Sequence, residues 1–145
     1  MRGLNRQSAL DAFQELALRD DQRLEEVWQR VASGCRELIA LKFPAGVLTF
    51  TADPDADTVE VRCQEAETFD PSGLVRADNP PWASLIGRPF GWGWIAINQQ
   101  GYQDGALLSF GGLEPSVLLV AAASSLRVYA VNELANGSIA ANDKG

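Results

Sequence analysis

The sequence predicts an α+β fold in which an N-terminal amphipathic helix, or two, packs on a meandering antiparallel sheet of about six or seven strands. Apolar residues recur at helical spacing before Gly34 and at a period close to two after it. The later apolar runs are joined mostly by short turns, which force neighbouring strands to be antiparallel. With 145 residues, 46% of them apolar, the chain suits a single domain over 1–145 with a sizeable core.

The first segment, residues 8–33, is predicted to be helical. Ser8 is a candidate N-cap, and Asp11 three residues later completes an approximate capping box. Gly34 can end the helical region as a C′ residue. Apolar residues seven positions apart support one long helix; they are Leu10, Ala17, Leu24 and Val31.

Two points in this segment stay open. Asp20 or Asp21 could cap a second helix, so the segment is compatible with one helix or with two. Residues 24–31 are also short enough to form a strand if the sheet needs one.

Residues 36–132 are predicted to form the antiparallel sheet. Pro44-Ala45-Gly46 and the loop 53–57 separate β-rich runs and indicate hairpins. The long connection 67–89 contains one predicted helical turn at 81–86, and the tail 134–145 is expected to be flexible. The run 116–123 is almost wholly apolar, which is typical of a strand covered on both faces. The predicted strands are 38–43, 47–51, 58–63, 90–98, 106–110, 116–123 and 126–131.

The charge and the missing histidine exclude several function classes. The net charge of −7 argues against nucleic acid and anionic membranes, because both require a basic surface. Without histidine the chain lacks the commonest general base and the usual hydrolase triads. No other arrangement of nucleophile and base appears, so we predict no catalytic residue, no cofactor and no enzymatic activity.

No metal site is predicted. Asp53, Asp55 and Asp57 alternate as a calcium loop begins. However, Thr58 stands where such a loop requires glycine, and Gln64 stands where it requires a bidentate glutamate. A solvated hairpin loop is the better interpretation.

The cysteines and the termini bear on the compartment. Cys35 and Cys63 are too few for a disulfide framework and are interpreted as small buried thiols, although a single bridge between them stays possible. No apolar run follows the N-terminus, and the longest apolar stretch, 117–123, is too short to span a bilayer. We therefore expect a cytoplasmic protein.

The segment Gly91-Trp92-Gly93-Trp94 is the most unusual in the chain. Two glycines on one face of a strand indicate that another element approaches closely. The tryptophans then either fill the core or expose at least one ring as a contact anchor. Strict alternation would place Phe90, Trp92, Trp94 and Ala96 on one face and Gly91, Gly93, Ile95 and Ile97 on the other.

An amide-rich loop, residues 98–105, follows this strand directly. Side-chain amides both donate and accept hydrogen bonds, so the loop can recognise a partner or satisfy its own backbone. Together with the tryptophans it forms the predicted binding surface, which comprises Trp92, Trp94, Asn98, Gln99, Gln100, Tyr102 and Asp104.

The same region resembles a family of small bacterial proteins of unassigned function. The resemblance covers roughly residues 36–132, and its most specific part is the loop from Asn98 to Gly105. The resemblance implies a bacterial origin and a shared fold, and it implies no particular activity. The residues that support it are Pro81-Trp82, Leu85-Ile86-Gly87, Trp94, the loop 98–105, and Ala123-Ser124-Ser125-Leu126-Arg127-Val128-Tyr129.

These observations favour a non-enzymatic bacterial binding protein whose partner is another protein. An acidic domain of this size fits an immunity-type protein that masks a basic toxin or effector. The alternative is a small-molecule binding domain or weak enzyme with a pocket bounded by the tryptophans and the amide-rich loop. A homodimer formed through an edge strand or the tryptophan face is a third possibility.

Overall fold

The computed structural model of the protein describes residues 8–131, which form two antiparallel β-sheets and two helices. The five-stranded sheet has the order β4-β3-β2-β1-β5, and the four-stranded sheet has the order β6-β7-β8-β9. The helices are α1 (Ala9–Ala17) and the single turn α2 (Trp82–Leu85). The strands are β1 (Glu26–Ala32), β2 (Cys35–Lys42), β3 (Gly46–Ala52), β4 (Val59–Glu65), β5 (Val75–Arg76), β6 (Phe90–Ile97), β7 (Gln103–Phe110), β8 (Val117–Ala122) and β9 (Ser125–Ala130).

The predicted fold class is wrong. Over residues 8–131 the protein is mostly β, with two sheets in place of one and, within that range, a single helix longer than one turn. The predicted helical region 8–33 is helical only over Ala9–Ala17. Non-local pairing explains the difference, because the apolar residues of 24–31 also suit a half-buried strand and β2 lies close enough to pair with them.

Strand β1 shows how the seven-residue spacing misled the prediction. It pairs with β2 in antiparallel register, and the register shifts between Arg30 and Val31, where β2 contains the additional residue Glu37. Ser33 and Gly34 both have positive φ, as the two central residues of a tight hairpin turn require. Gly34 therefore closes a β-hairpin and does not end a helix.

Helix α1 joins the two sheets. The Ser8 hydroxyl accepts a hydrogen bond from the Asp11 backbone N–H at 3.1 Å, which caps the first turn as predicted. Its buried face consists of Ala9, Ala12, Phe13 and Leu16, and it packs against β3, β4 and β6. Within residues 8–131, no helix is long and apolar enough to cross a membrane.

The core lies between the two sheets and α1. Its centre is a chain of aromatic contacts with ring centroids 5.9–6.3 Å apart. Phe43, which directly follows β2 of the first sheet, stacks on Phe110 of the second at an interplanar angle of 8°. Both sheets thus bury one face in a shared core. The phenylalanines that make these ring contacts are Phe13, Phe43, Phe50, Phe90 and Phe110.

The long connection after β4 joins opposite edges of the five-stranded sheet. It starts as a 3₁₀ turn (Ala66–Thr68) that contacts β3, and it ends at β5 beside β1. Farther on, the helix α2 confirms the predicted helical turn near 81–86. Its residues Trp82 and Leu85 are buried. The predicted flexible tail 134–145 lies outside the described residues.

Candidate functional site

Strand β6 contains a bulge that reverses the expected alternation. Phe90 pairs with Phe110 and Gly93 pairs with Leu108, so two residues of β6 stand opposite the single Ser109. The Trp92 backbone N–H donates to the Ser109 hydroxyl at 2.7 Å. The prediction that Phe90 shares a face with the tryptophans is therefore wrong. Phe90 packs on the core, and Trp92 is 55% exposed.

The two glycines of β6 allow close approach, as predicted. A Cβ atom on Gly93 would lie 2.4 Å from Cγ of Phe13, so the absence of a side chain lets α1 pack against the sheet. A Cβ atom on Gly91 would lie 2.5 Å from the Ser109 hydroxyl oxygen. Helix α1 and the bulge thus account for both glycines.

The solvent-facing side of the four-stranded sheet carries a row of large apolar side chains. Trp94 pairs with Leu107, Leu107 with Leu118, and Leu118 with Tyr129, so the row crosses all four strands. Their sequence neighbours Leu108, Val117 and Leu119 are buried in the core, which places the row on the opposite side. Trp94, Leu107 and Leu118 are half-buried, and Tyr129 is 43% exposed. We call Trp92, Trp94, Leu107, Leu118 and Tyr129 the open face.

The neighbouring row of the same sheet face is smaller and nearly uncharged. It consists of Ala96, Gly105, Val120 and Arg127, which are cross-strand partners in that order. A Cβ atom on Gly105 would lie 3.2 Å from Cβ of Ala96, so this row is tightly packed at its β6–β7 end. Arg127 is the single charged side chain of the two rows and stands at the β9 margin.

The amide-rich loop divides into structural and exposed residues. The Asn98 side-chain oxygen accepts from the backbone N–H groups of Gln100 at 2.9 Å and Tyr102 at 3.2 Å, and its amide donates to Asp104 at 3.2 Å. Asn98 and Asp104 therefore close the loop on itself. The side chains of Gln99, Gln100 and Tyr102 are exposed beside the sheet.

Sequence reasoning missed the half of the open face that lies on β7, β8 and β9. The run 116–123 was expected to be covered on both faces, and this expectation is wrong: β8 alternates buried and half-buried residues. Leu118 and Tyr129 carried a usable signal only through their alternation with Leu119 and Val128. Their partnership across β8 and β9 depends on a register that a single sequence does not show.

The two cysteines are free thiols. Each is half-buried, so the expectation of buried thiols holds only in part. Burial raises the pKa of the Cys63 thiol to about 12, and the nearby carboxylate of Glu15 adds to the effect. A thiol held protonated in this way is a poor nucleophile and a poor metal ligand.

The carboxylates of the acidic loop 53–57 form hydrogen bonds that stabilise turns. The Asp53 carboxylate accepts from the backbone N–H groups of Asp55 at 2.8 Å and Ala56 at 3.3 Å. The Asp57 carboxylate accepts from the Ser124 N–H at 2.9 Å, which ties this loop to the β8–β9 turn. Nowhere between residues 8 and 131 do three histidine, cysteine or acidic side chains converge as metal ligands would.

Two open grooves lie away from the tryptophans. One, of about 580 Å³, lies between the β1–β2 hairpin and β9 and includes Arg36 and Arg127 in its lining. The other, of about 420 Å³, lies beside the acidic loop and includes Glu60, Arg62 and Gln103. Neither has Trp92 or Trp94 in its lining, so neither is the pocket bounded by tryptophans that the alternative hypothesis requires.

Comparison with known proteins places the chain in a family. A family model described as "Family of unknown function (DUF6334)" matches residues 7–135. The chain has no significant match among curated proteins or among solved structures. The match agrees with the predicted resemblance to a family of unassigned function. Because it spans nearly the whole chain, the protein belongs to this family of unknown function.

Proposed function

We propose that the protein is a non-enzymatic binding protein that engages another protein through the open face. One observation carries the proposal: apolar side chains cross the four-stranded sheet from edge to edge on its solvent side. Contiguous exposed apolar surface is characteristic of protein–protein contact. Tryptophan and tyrosine, which stand at the two ends of the row, are the residues most enriched where binding energy concentrates.

The amide-rich loop supplies a polar rim to this surface. Gln99, Gln100 and Tyr102 are exposed in the β6–β7 turn, beyond the row that contains Ala96 and Gly105. Amides and a phenol can donate and accept hydrogen bonds at the margin of an apolar contact without bringing in charge. We propose that this loop is the part of the surface that members of the family share.

The charge of the chain favours a basic partner. With a net charge of −7, long-range electrostatics accelerate association with a positively charged protein and disfavour nucleic acid and anionic membranes. Such a partner would place an apolar patch on the open face and basic side chains around it. An immunity-type protein that masks a basic toxin or effector in the bacterial cytoplasm has this chemistry.

The proposal is tested by affinity capture from the host with matched variants. Leu118→Asp places a charge in the middle of the open face, and Leu18→Asp places the same charge on a leucine that is 72% exposed after α1. We expect a basic protein that is retained by the wild type and by Leu18→Asp and is lost with Leu118→Asp. Circular dichroism of both variants checks that they are folded.

Trp92→Ala keeps the test decisive if Leu118→Asp does not fold, because Trp92 is exposed at the margin of the open face. Identical captured proteins for Trp92→Ala and the wild type would contradict the proposal. An acidic partner would contradict the charge argument. A dimer in solution that Trp92→Ala dissociates would assign the open face to a second copy of the chain.

A further inference from the structure

Strand β9 is an edge strand that faces a groove. It is the last strand of the four-stranded sheet and pairs only with β8 in the described chain. On its other side lies the β1–β2 hairpin, which contacts the start of β9 through a hydrogen bond from the Arg36 backbone N–H to the Ser125 hydroxyl at 3.1 Å. A groove of about 580 Å³ opens between the hairpin and β9. An edge strand with room beside it can accept a further strand, because its outward main-chain groups lack a sheet partner.

The hydrogen bonds show which main-chain groups point into this groove. The Val131 N–H donates to the Ser116 carbonyl, so the odd-numbered residues of β9 direct their main-chain groups toward β8. The even-numbered residues therefore face the groove. The Leu126 carbonyl accepts from a guanidinium N–H of Arg36 at 3.0 Å, where a neighbouring strand would otherwise donate. The main chain of Val128 is the next outward position along the edge.

The described residues that line this groove carry only positive charges. Among residues 8–131, its lining includes Arg36 and Arg127 and no acidic side chain. The Arg36 Nε–H donates to the Gln29 side-chain oxygen at 2.9 Å, and one terminal nitrogen donates to the Leu126 carbonyl. The remaining N–H groups of the guanidinium are available to bind a ligand.

These two arginines differ from most basic residues of the protein. Between residues 8 and 131, three of the nine basic side chains form no ion pair with a carboxylate of that range: Arg36, Arg88 and Arg127. Two of the three line the same groove. The six that are paired are Arg19, Arg23, Arg30, Lys42, Arg62 and Arg76.

We propose that this groove binds an extended, acidic peptide segment of a partner protein, which adds to β9 as a further strand. The main chain of the segment hydrogen-bonds to Val128, and its carboxylates bind Arg36 and Arg127. Charge complementarity selects this occupant, because arginine binds carboxylates through planar, paired N–H groups. The groove adjoins the open face, because Tyr129 belongs to both, but its occupant is an acidic segment and not the basic partner of the proposed function.

Two short peptides test the proposal directly. One alternates valine with aspartate and the other alternates valine with lysine, and fluorescence polarisation measures their binding to the full chain. We expect binding of the aspartate peptide only. A third peptide, with the same valine–aspartate sequence N-methylated at every residue, removes all main-chain donors and is expected to lose binding, because strand addition depends on main-chain hydrogen bonds.

Matched charge reversals locate the site. Arg127→Glu in the groove is expected to weaken the aspartate peptide by at least about tenfold, whereas Arg88→Glu, an exposed arginine outside it, changes binding little. Arg127→Lys keeps most of the affinity. Slower amide hydrogen exchange at Val128 in the complex would support strand addition.

Equal binding of the aspartate and lysine peptides would overturn the proposal. So would unchanged binding by the N-methylated peptide, or equal losses in Arg127→Glu and Arg88→Glu. None of these outcomes bears on the open face, whose test uses Leu118 and Trp92.

Discussion

The two sheets bury their inner faces in the same core but differ in what happens on their outer faces. On the five-stranded sheet, Ala40 and Val47 stand outside the shared core, and yet neither has any exposed surface. On the four-stranded sheet, Trp92 and Tyr129 are 55% and 43% exposed. The centre of one outer face is therefore buried, whereas the other outer face exposes two aromatic rings, which is why we place the binding surface on the second sheet.

The first sheet has a long connection between β4 and β5, whose 3₁₀ turn contacts β3. This connection joins opposite edges of that sheet, and Arg76 at its end lies 5.5 Å from the centre of the Trp28 ring. The strands of the second sheet are joined by short turns, and these turns are too short to extend over a face of the sheet.

The largest effect is expected where the two sheets meet. Phe43→Ala removes a fully buried ring that contacts Phe90 and Phe110, and it should cost about 3–5 kcal/mol of unfolding free energy. Trp92→Ala removes an exposed ring and should cost less than about 1 kcal/mol. Urea denaturation of both variants measures the difference. Equal losses of unfolding free energy would show that the Trp92 ring is part of the core and is not available for binding.

A smaller loss is expected at the contact between α1 and the second sheet. Gly93→Ala places a methyl group against the Phe13 ring and should destabilise the protein by about 1–3 kcal/mol. Gly112→Ala is the matched control, since a Cβ atom there meets nothing within 4 Å, and it should change stability by about 0.5 kcal/mol or less. Thermal denaturation distinguishes them, and a neutral Gly93→Ala would contradict the close packing of the helix.

The amide-rich loop provides a finer comparison between structural and exposed side chains. Asn98→Ala removes the acceptor for two backbone N–H groups and the donor to Asp104, so it should cost about 1 kcal/mol. Gln100→Ala should leave stability within about 0.5 kcal/mol and weaken partner binding. Denaturation and binding are measured on both. A Gln100→Ala variant that loses as much stability as Asn98→Ala would make the whole loop structural.

The smallest effect concerns the thiol of Cys63, which lies on β4 of the five-stranded sheet near Glu15 of α1. Its pKa rises from 9.0 to about 12 on folding, chiefly through burial and then through Glu15. Above about pH 9 the unfolded chain loses this proton first, so the thiol's contribution to stability declines as pH rises toward 12.

Cys63→Ala should therefore flatten the alkaline loss of stability, as measured by denaturation at about pH 8 and about pH 10. Cys35→Ala is the control. A wild-type profile identical to that of Cys63→Ala would show that the pKa of Cys63 is not raised by folding.

Features that depend on neighbouring residues were predicted well from the sequence. The Ser8 cap, the hairpin around 44–46 and the helical turn near Trp82 all rest on hydrogen bonds or turns within a few residues. The exposure of Trp92 and the loop amides was foreseen as one of two alternatives. The bulge in β6 was not foreseen, because it depends on the hydroxyl of Ser109 in the next strand.

Local patterning therefore established the turns, most strands and a charge-poor segment around the tryptophans, and the resemblance of motifs indicated a family of unassigned function. It did not establish that 24–31 pairs with β2, that the strands divide between two sheets, or which outer face is covered. Periodicity and turn chemistry are properties of neighbouring residues, whereas strand pairing and coverage depend on contacts between distant ones. A wholly apolar strand such as β8 has the same sequence whether the chain covers its second face or leaves it open.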